Sequence, residues 1–301
     1  MNPKKELTKA QVEKVVLRML SQARREPRFR AQRERVALID AIRYGHLQTA
    51  QSLLAHDVDP NATESKGRSA LWYAAYWGRS ELIRDLVARG ARVPDDVLMG
   101  PVHDGDADSV RLLIRRGANV NCVATFTRYS YKFPRKQVLL TVAMERVRES
   151  QILRRSAQTS GAELSAEQRR ALPLEPPSRE MEAIPLMLIK AGAKVNRLAF
   201  DYALYDGYIR STLGLTAHFG HVRTIKGMLA AGADVNFKDT WGGTALIDAA
   251  REGNSAVVRV LLRAGANPET RRRDGLTASS AARQHGCPDL AEEIERYAKA
   301  A

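Results

Sequence analysis

A short phrase recurs along this chain at a nearly fixed spacing: Gly-Ala, a variable residue, and then Val-Asn or a close variant. Each copy follows an apolar segment of helical character. The clear copies begin at Gly90, Gly117, Gly192, Gly232 and Gly265, and a weaker copy begins at Asp57. The steps from 57 to 90 and from 232 to 265 are each 33 residues. A period of this size indicates a stack of similar supersecondary units rather than one globular core.

A second landmark precedes each apolar segment in constant phase. It reads SALWYAA at residues 69–75, followed by Gly78, and TALIDAA at residues 244–250, followed by Gly253. Together the landmarks resemble the ankyrin-repeat family, whose pattern is Thr-Pro-Leu-His-x-Ala-Ala, then Gly-His, Leu-Leu and Gly-Ala-x-Val-Asn, over residues 36 to about 298. The resemblance implies an all-α ankyrin-repeat solenoid, in which helix-turn-helix units are joined by short β-hairpin fingers. We count about seven repeats, with inner helices beginning near Val36, Ser69, Asp96, Val138, Ser211, Thr244 and Thr277.

The residue types agree with this fold. Small Ala-Ala pairs let a short inner helix pack closely on its neighbours, and the following Gly ends the helix because it takes a positive φ without strain. The Leu-Leu face of the second helix then covers the first. Asn and Asp in the Val-Asn turn are expected to bond their own backbone.

The period fails in the middle of the chain. The step from Gly90 to Gly117 is six residues short, and the loss lies between Gly90 and Asp96, which predicts a clipped finger. The next step, to Gly192, is 42 residues too long, and the one after, to Gly232, is seven too long. We therefore predict a basic N-terminal helical cap at 1–35 and a repeat domain at 36–301, with an insertion at 147–179 inside repeat four. The insertion either has a role or is a tolerated surface loop.

Aromatic and basic residues concentrate in the two lengthened fingers. Tyr and Arg are enriched at interface hot spots, so these positions are candidates for partner binding. The alternative is that the rings pack on each other and cover the edge of the stack. A second aromatic group lies on the inner helix of repeat two. The candidate partner-binding residues are Arg128, Tyr129, Tyr131, Lys132, Tyr202, Tyr205, Tyr208, Tyr76 and Trp77.

The chain is strongly basic, with a formal net charge of +14, and residues 1–36 carry half of it. A basic surface attracts acidic protein, nucleic acid or anionic membrane, or serves solubility alone. We expect a protein partner with an acidic surface. The alternative function is binding of nucleic acid or another polyanion, although no nucleic-acid-binding signature is present. The residues that would carry it are Arg24, Arg25, Arg28, Arg30, Arg33 and Arg35.

Patterns of catalytic or metal-binding residues are weak. The acidic run from His103 to Asp108 fails as a calcium loop, because the sixth and twelfth positions from Asp104 are Ser109 and Arg115. No zinc spacing, phosphate loop or nucleophile motif occurs. We therefore predict a non-catalytic protein-interaction scaffold without cofactor or metal. The family resemblance implies that the partner binds through the fingers, which are elongated and aromatic-basic here, and the concave face of the stack.

The cellular setting is predicted from two further features. The two cysteines, Cys122 and Cys287, lie in different repeats, which favours free thiols in a reducing compartment. No apolar run of 18 residues occurs, so we expect no membrane span. We expect the protein to be cytoplasmic and monomeric.

Overall fold

The computed structural model describes residues 27–125, 136–148, 183–199 and 209–300. The chain divides into two compact units, Met1–Asn119 and Val120–Ala301. Helices dominate the described residues of both units, in agreement with the predicted all-α fold.

The first unit contains three helix pairs, each an inner helix, a tight turn and an outer helix. Inner helices pack against inner helices, and outer helices pack against outer helices. The pairs are α1 (Pro27–Tyr44) with α2 (Leu47–Ala55), α3 (Ala70–Tyr76) with α4 (Ser80–Ala88), and α5 (Met99–Asp104) with α6 (Ala107–Arg115). Leucines such as Leu71 and Leu82 are fully buried between the helices.

Helix α1 is longer than the expected inner helix of repeat one. It includes residues from Pro27 onward, nine residues before Val36, where the repeat motif begins. The cause is local, because Pro is favourable at the first helical position and the Arg, Gln and Glu that follow are good helix formers. Part of the basic segment assigned to 1–35 is therefore continuous with the first inner helix.

The second unit begins with a short antiparallel hairpin. Strand β1 (Val123–Thr125) pairs with β2 (Lys136–Val138), with Val123 opposite Val138. This pairing confirms the hairpin predicted for the lengthened finger at its root. Residues 126–135 between the strands lie outside the described residues.

Four further helix pairs follow in the second unit. The inner helices are α7 (residues 139–148), α9 (Thr212–His218), α11 (Ala245–Arg251) and α13 (Ala278–Gln284). The outer helices are α8 (Ile184–Lys190), α10 (Val222–Ala230), α12 (Ser255–Arg263) and α14 (Pro288–Ala300). Most inner helices start where the motif predicts, and the side chains of Ser69, Ser211 and Thr277 cap the helices that follow them. The predicted insertion at 147–179 lies almost wholly outside the described residues.

The turn that ends each outer helix requires a positive φ. Gly90 has φ +84° at this position, whereas the weak first copy places Asp57 there with φ +59°. Asp and Asn reach the left-handed region more readily than other side chains with a Cβ. The first copy is thus degenerate in sequence but equivalent in backbone conformation.

The Asn that ends the recurring phrase acts differently from the expectation. Asn196 does not bond its own backbone: its side chain donates to the Gly232 carbonyl (3.2 Å) and accepts from the Asp234 amide (2.8 Å) in the next copy. Asn236 bonds Gly265 and Asn267 in the same way. The predicted local bond exists, but two residues earlier, where the Asp234 carboxylate accepts from the Asn236 amide at 2.9 Å.

This link between successive phrases survives the largest break in the period. Asn121 donates to the Gly192 carbonyl at 3.0 Å and accepts from the Lys194 amide at 2.7 Å. The 42 additional residues between Gly117 and Gly192 therefore leave the register of the two phrases intact.

Candidate protein-binding surface

Helix α3 and its C-cap residue carry four aromatic side chains: Trp72, Tyr73, Tyr76 and Trp77. The Ser69 side chain caps it by accepting from the Trp72 amide at 3.1 Å. Leu71 and Ala74 face the core, which leaves Trp72, Tyr76 and Trp77 half-buried. Positions 72 and 76 are one helical turn apart and lie on the same side of the helix.

The rings on α3 contact one another in series. Trp72 and Tyr76 are stacked, with centroids 4.8 Å apart and planes inclined by 15°. Tyr76 and Trp77 meet edge to face at 5.2 Å. The Arg68 guanidinium lies 4.2 Å from the centre of the Trp72 ring, within cation–π range. We call the set Arg68, Trp72, Tyr76 and Trp77 the α3 aromatic face.

Trp72 is fixed from a third direction. Its indole Nε1 donates to an Asp96 carboxylate oxygen at 3.0 Å, and Asp96 comes from the segment before α5. A ring held by a cation, a stacked neighbour and a hydrogen bond has little freedom left to lose when a partner binds.

Further charged groups surround the buried neighbour Tyr73. The Arg43 guanidinium lies 5.8 Å from its ring. Burial, with a smaller effect from a hydrogen bond to Glu64, raises the pKa of the Tyr73 hydroxyl, which keeps this hydroxyl protonated. Arg43 and Arg68 are exposed, so the α3 aromatic face carries one positive charge, that of Arg68, and has a second beside it.

The structure places only part of the predicted site. Tyr76 and Trp77 belong to the α3 aromatic face. Trp72 was part of the predicted aromatic group of repeat two but not of the candidate binding residues. Arg68 and Asp96 were not predicted as site residues, because Arg68 precedes the Ser69 cap of α3 and Asp96 is 24 residues from Trp72. The finger candidates Arg128, Tyr129, Tyr131, Lys132, Tyr202, Tyr205 and Tyr208 lie outside the described residues.

The arginines of the polyanion hypothesis are described in part. Arg24 and Arg25 lie outside the described residues, and Arg28 and Arg30 lie on α1 without described side chains. Arg33 is exposed on α1. Arg35 pairs with Asp59 at 3.6 Å.

A buried ion pair supports the root of the second long finger. Arg210 and Asp248 on α11 approach to 3.3 Å, and both side chains are 6% exposed. Room for the carboxylate comes from Gly214, where a Cβ would lie 2.5 Å from Asp248 Oδ2. Burial raises the pKa of Asp248 to about 7, against the opposing effect of Arg210, and the nearby Asp239 raises it further.

Within the acidic run at 103–108, Asp106 has a structural role. The Asp106 carboxylate caps α6 by accepting from the Ser109 amide at 3.0 Å, and it also accepts from the Ser80 hydroxyl at 2.6 Å. Across the described ranges, no cluster of His, Cys, Asp and Glu is suited to hold a metal ion. Cys122 and Cys287 are free thiols.

Helix pairs in constant phase, ended by positive-φ residues and tied by Asn side chains, define a helical repeat protein. The sequence matches the family described as Ankyrin repeats (3 copies) over residues 9–97, 38–124 and 213–297. The chain belongs to the ankyrin-repeat family, which confirms the resemblance drawn from its motifs. Ankyrin repeats are general protein–protein interaction modules and are typically non-catalytic.

A curated relative shares part of the sequence. The chain is 31% identical over 113 residues to the Ankyrin repeat and KH domain-containing protein mask-1 of Caenorhabditis elegans. The matched segment is 37% of this chain and 4% of that protein. Among the helices of the described residues, none is both long and apolar enough to cross a membrane.

Proposed function

We propose that this chain is a non-catalytic interaction scaffold that binds a protein partner with an acidic surface. The α3 aromatic face would be one contact surface and the two long fingers another. The observation that carries the proposal is the contact of Trp72 with two neighbours: Arg68, just before the inner helix α3, and Tyr76, on that helix.

The chemistry of this stack suits protein recognition. Trp, Tyr and Arg are the side chains most enriched among residues that dominate binding energy. Half-burial gives each ring a rigid base in the repeat and leaves part of it for a partner. The adjacent Arg43 and Arg68, and the net charge of +14, favour an acidic partner through attraction and faster association.

The fingers extend the same chemistry. Tyr129, Tyr131, Tyr202, Tyr205 and Tyr208 lie in segments that exceed the repeat period by nine and seven residues. Loop length beyond the needs of a connection is frequently functional.

Selection of random displayed peptides on the full chain tests the proposal. We expect acidic peptides to be enriched and to bind a Tyr76→Ala, Trp77→Ala variant about tenfold or more weakly. A Trp241→Ala variant is the matched control, since this ring also contacts an arginine, Arg272, at 5.3 Å but lies in the other unit. Helical circular dichroism checks that each variant is folded.

The fingers are tested by a Tyr129→Ala, Tyr131→Ala, Tyr205→Ala variant in the same selection. Weaker binding by this variant would assign the contact to the fingers. Equal binding to all variants would refute both contact surfaces. Enrichment of no peptide, with retention of an RNA oligonucleotide that resists moderate salt, would favour the polyanion alternative.

A further inference from the structure

A groove opens in the first unit beside the segment where the repeat loses six residues. Its volume is about 250 Å³. The finger before α3 forms one wall, and the shortened segment between α4 and α5 forms the other. The lining residues used below are Lys66, Arg68, Trp72, Arg92, Pro94 and Asp96.

The shortened segment explains why this space is open. Neighbouring fingers in the second unit are joined by backbone bonds, with the Arg273 amide donating to the Trp241 carbonyl (2.9 Å) and the Thr240 amide to the Ile209 carbonyl (3.2 Å). In the described residues of the first unit, the turn at 64–67 makes no such bond to residues 92–96. The finger between α4 and α5 is therefore six residues too short to pair with the turn at 64–67, and the groove lies in the space left between them.

The recurring phrase also changes at the groove. Pro94 stands where four of the five other copies carry Asn, so it has no side-chain amide to bond the next phrase. The segment is instead held from behind, because the Asn61 side chain accepts from the Arg92 amide at 2.8 Å. The wall is thus fixed in position while its Pro94 ring lines the groove.

The groove carries excess positive charge. Lys66, Arg68 and Arg92 contribute three cations, against one carboxylate from Asp96. That carboxylate accepts the hydrogen bond of the Trp72 indole, so part of its bonding capacity is already used. Lys66 and Arg92 are exposed, and neither forms an ion pair with any residue in the described part of the chain.

The size and the rings favour a peptide over a nucleic acid. A volume of about 250 Å³ is below the range of about 300–1,000 Å³ for drug-sized ligands, and it suits one or two side chains. Nucleic-acid binding would need an aromatic face on which a base can stack. Here Arg68 and Tyr76 both contact the Trp72 ring, which reduces the ring area on which a base could stack.

We propose that this groove binds an anionic side chain of a linear peptide segment. Lys66 and Arg92 pair with the anion, and Trp72 and Pro94 contact the carbons that carry it. The inference rests on the proposed protein-binding function and names the ligand chemistry of one site within it. The anion is either a carboxylate or a phosphate, and the test below separates these two sources.

The chain offers a direct probe of the groove because it contains three tryptophans, of which Trp72 alone lines it. Full-length ¹⁵N-labelled protein is titrated with acetyl-tetraglutamate amide, with its glutamine counterpart and with a version containing phosphoserine. Trp72→Phe and Trp241→Phe variants assign the indole N–H signals. We expect the glutamate peptide to shift the Trp72 signal saturably while Trp241 stays in place and the glutamine peptide has no effect. Tighter binding of the phosphoserine peptide at the same signal would support the proposal with phosphate as the anion.

Paired variants of equal charge separate the groove from bulk attraction. A Lys66→Gln, Arg92→Gln variant should raise the dissociation constant about tenfold or more. A Lys226→Gln, Lys238→Gln variant removes two exposed cations from the second unit and should change it less than about twofold.

Three results would overturn the inference: an unmoved Trp72 signal, equal weakening by both paired variants, or tighter binding of oligothymidylate with the same dependence on Lys66 and Arg92. Should the groove fail while displayed peptides still bind through Tyr76 or the fingers, the proposed function would stand without this site.

Discussion

At the scale of single residues, one side chain does more than its position in the motif suggests. The Asn that ends the phrase looks like a turn residue, yet in three copies it both donates to and accepts from the next copy. In the copy that ends at Asn236, the carboxylate of Asp234 makes the local turn bond, and the Asn267 side chain makes the equivalent bond to the Glu269 amide in the next copy. Two polar residues of the same phrase, two positions apart, therefore have different roles. One forms the turn, and the other joins neighbouring repeats.

This division predicts unequal effects of two similar substitutions. Asn236→Ala leaves the Gly265 carbonyl and the Asn267 amide without their partner and should lower the free energy of unfolding by about 1–3 kcal/mol. Asn267→Ala removes only the local bond to the Glu269 amide and should cost less than half as much. Urea unfolding followed by circular dichroism measures both, and equal costs would contradict the assigned role.

A second residue-scale prediction concerns glycines within helices. At Gly100 a Cβ would collide with the Ala75 carbonyl oxygen on the neighbouring inner helix, which is backbone and cannot turn aside. At Gly227 the obstacle is the end of the Leu186 side chain, which can change rotamer. Ala is favoured over Gly in helices by about 1 kcal/mol. We therefore expect Gly100→Ala to lower the melting temperature and Gly227→Ala to leave it near the native value, as scanning calorimetry would show.

At the scale of elements, the informative contacts join a finger root to an inner helix. Trp72 on α3 bonds Asp96 beyond α4, and Arg210 before α9 pairs with Asp248 on α11. In both cases a polar group on an inner helix binds a residue at the end of a finger whose length differs from the regular repeat. Non-standard fingers in this chain are therefore attached by specific side chains as well as by backbone.

The Arg210–Asp248 pair predicts a dependence of stability on pH. The groups near Asp248 are Arg210, Asp239 and Arg251, and burial raises the pKa of Asp248 to about 7. A raised carboxyl pKa means that the folded state holds its proton more tightly than the unfolded chain does. Its contribution to stability is therefore complete below about pH 4 and is lost as the pH rises through 7.

Urea midpoints measured from pH 4 to 8 test this sign. Asp248→Asn keeps the shape and removes the titration, so its midpoints should fall less over this range than those of the native chain. The nearby His218 has a pKa lowered by burial and Arg210, and it is present in both proteins, so the difference between them isolates Asp248. Parallel curves would mean that Arg210 keeps Asp248 ionised throughout.

At the scale of the whole molecule, charge and periodicity are independent properties. The net charge of +14 draws polyanions to any exposed cation, whereas the groove and the α3 aromatic face are arranged by particular repeats. Binding of the protein to an anionic matrix therefore does not by itself indicate a specific site. A specific site is indicated only if removing cations at one place weakens binding more than removing the same number elsewhere.

This distinction can be measured on heparin. One variant changes Arg24, Arg25, Arg28, Arg30, Arg33 and Arg35 to Gln, which lowers the formal charge from +14 to +8. A control changes six exposed cations of the second unit to Gln, namely Arg223, Lys226, Lys238, Arg263, Arg271 and Arg273. We expect both to elute at a similar, lower salt concentration, because bulk charge dominates. A selective loss in the first variant would instead support a polyanion site at the N-terminal arginines.

The sequence by itself determined the repeat, the helix pairs, most helix starts and the places where the period fails. These signals are local, since caps, positive-φ turns and apolar spacing each depend on residues within a turn or two of helix. Local signals also explain why α1 begins at Pro27 and not near Val36, where the motif predicts its start. The helix-forming residues before the motif extend the helix toward the N-terminus.

Only the tertiary structure decided how the repeats are joined and where a binding site forms. The bonds from Trp72 to Asp96 and from Asn121 to Lys194 span 24 and 73 residues, and the second crosses the largest break in the period. Such pairs depend on how neighbouring units stack, which local pattern does not encode. The repeat spacing alone shows that six residues are absent between Gly90 and Asp96. The stacking of the repeats makes this shortened segment one wall of a groove that is lined by cations beside Trp72.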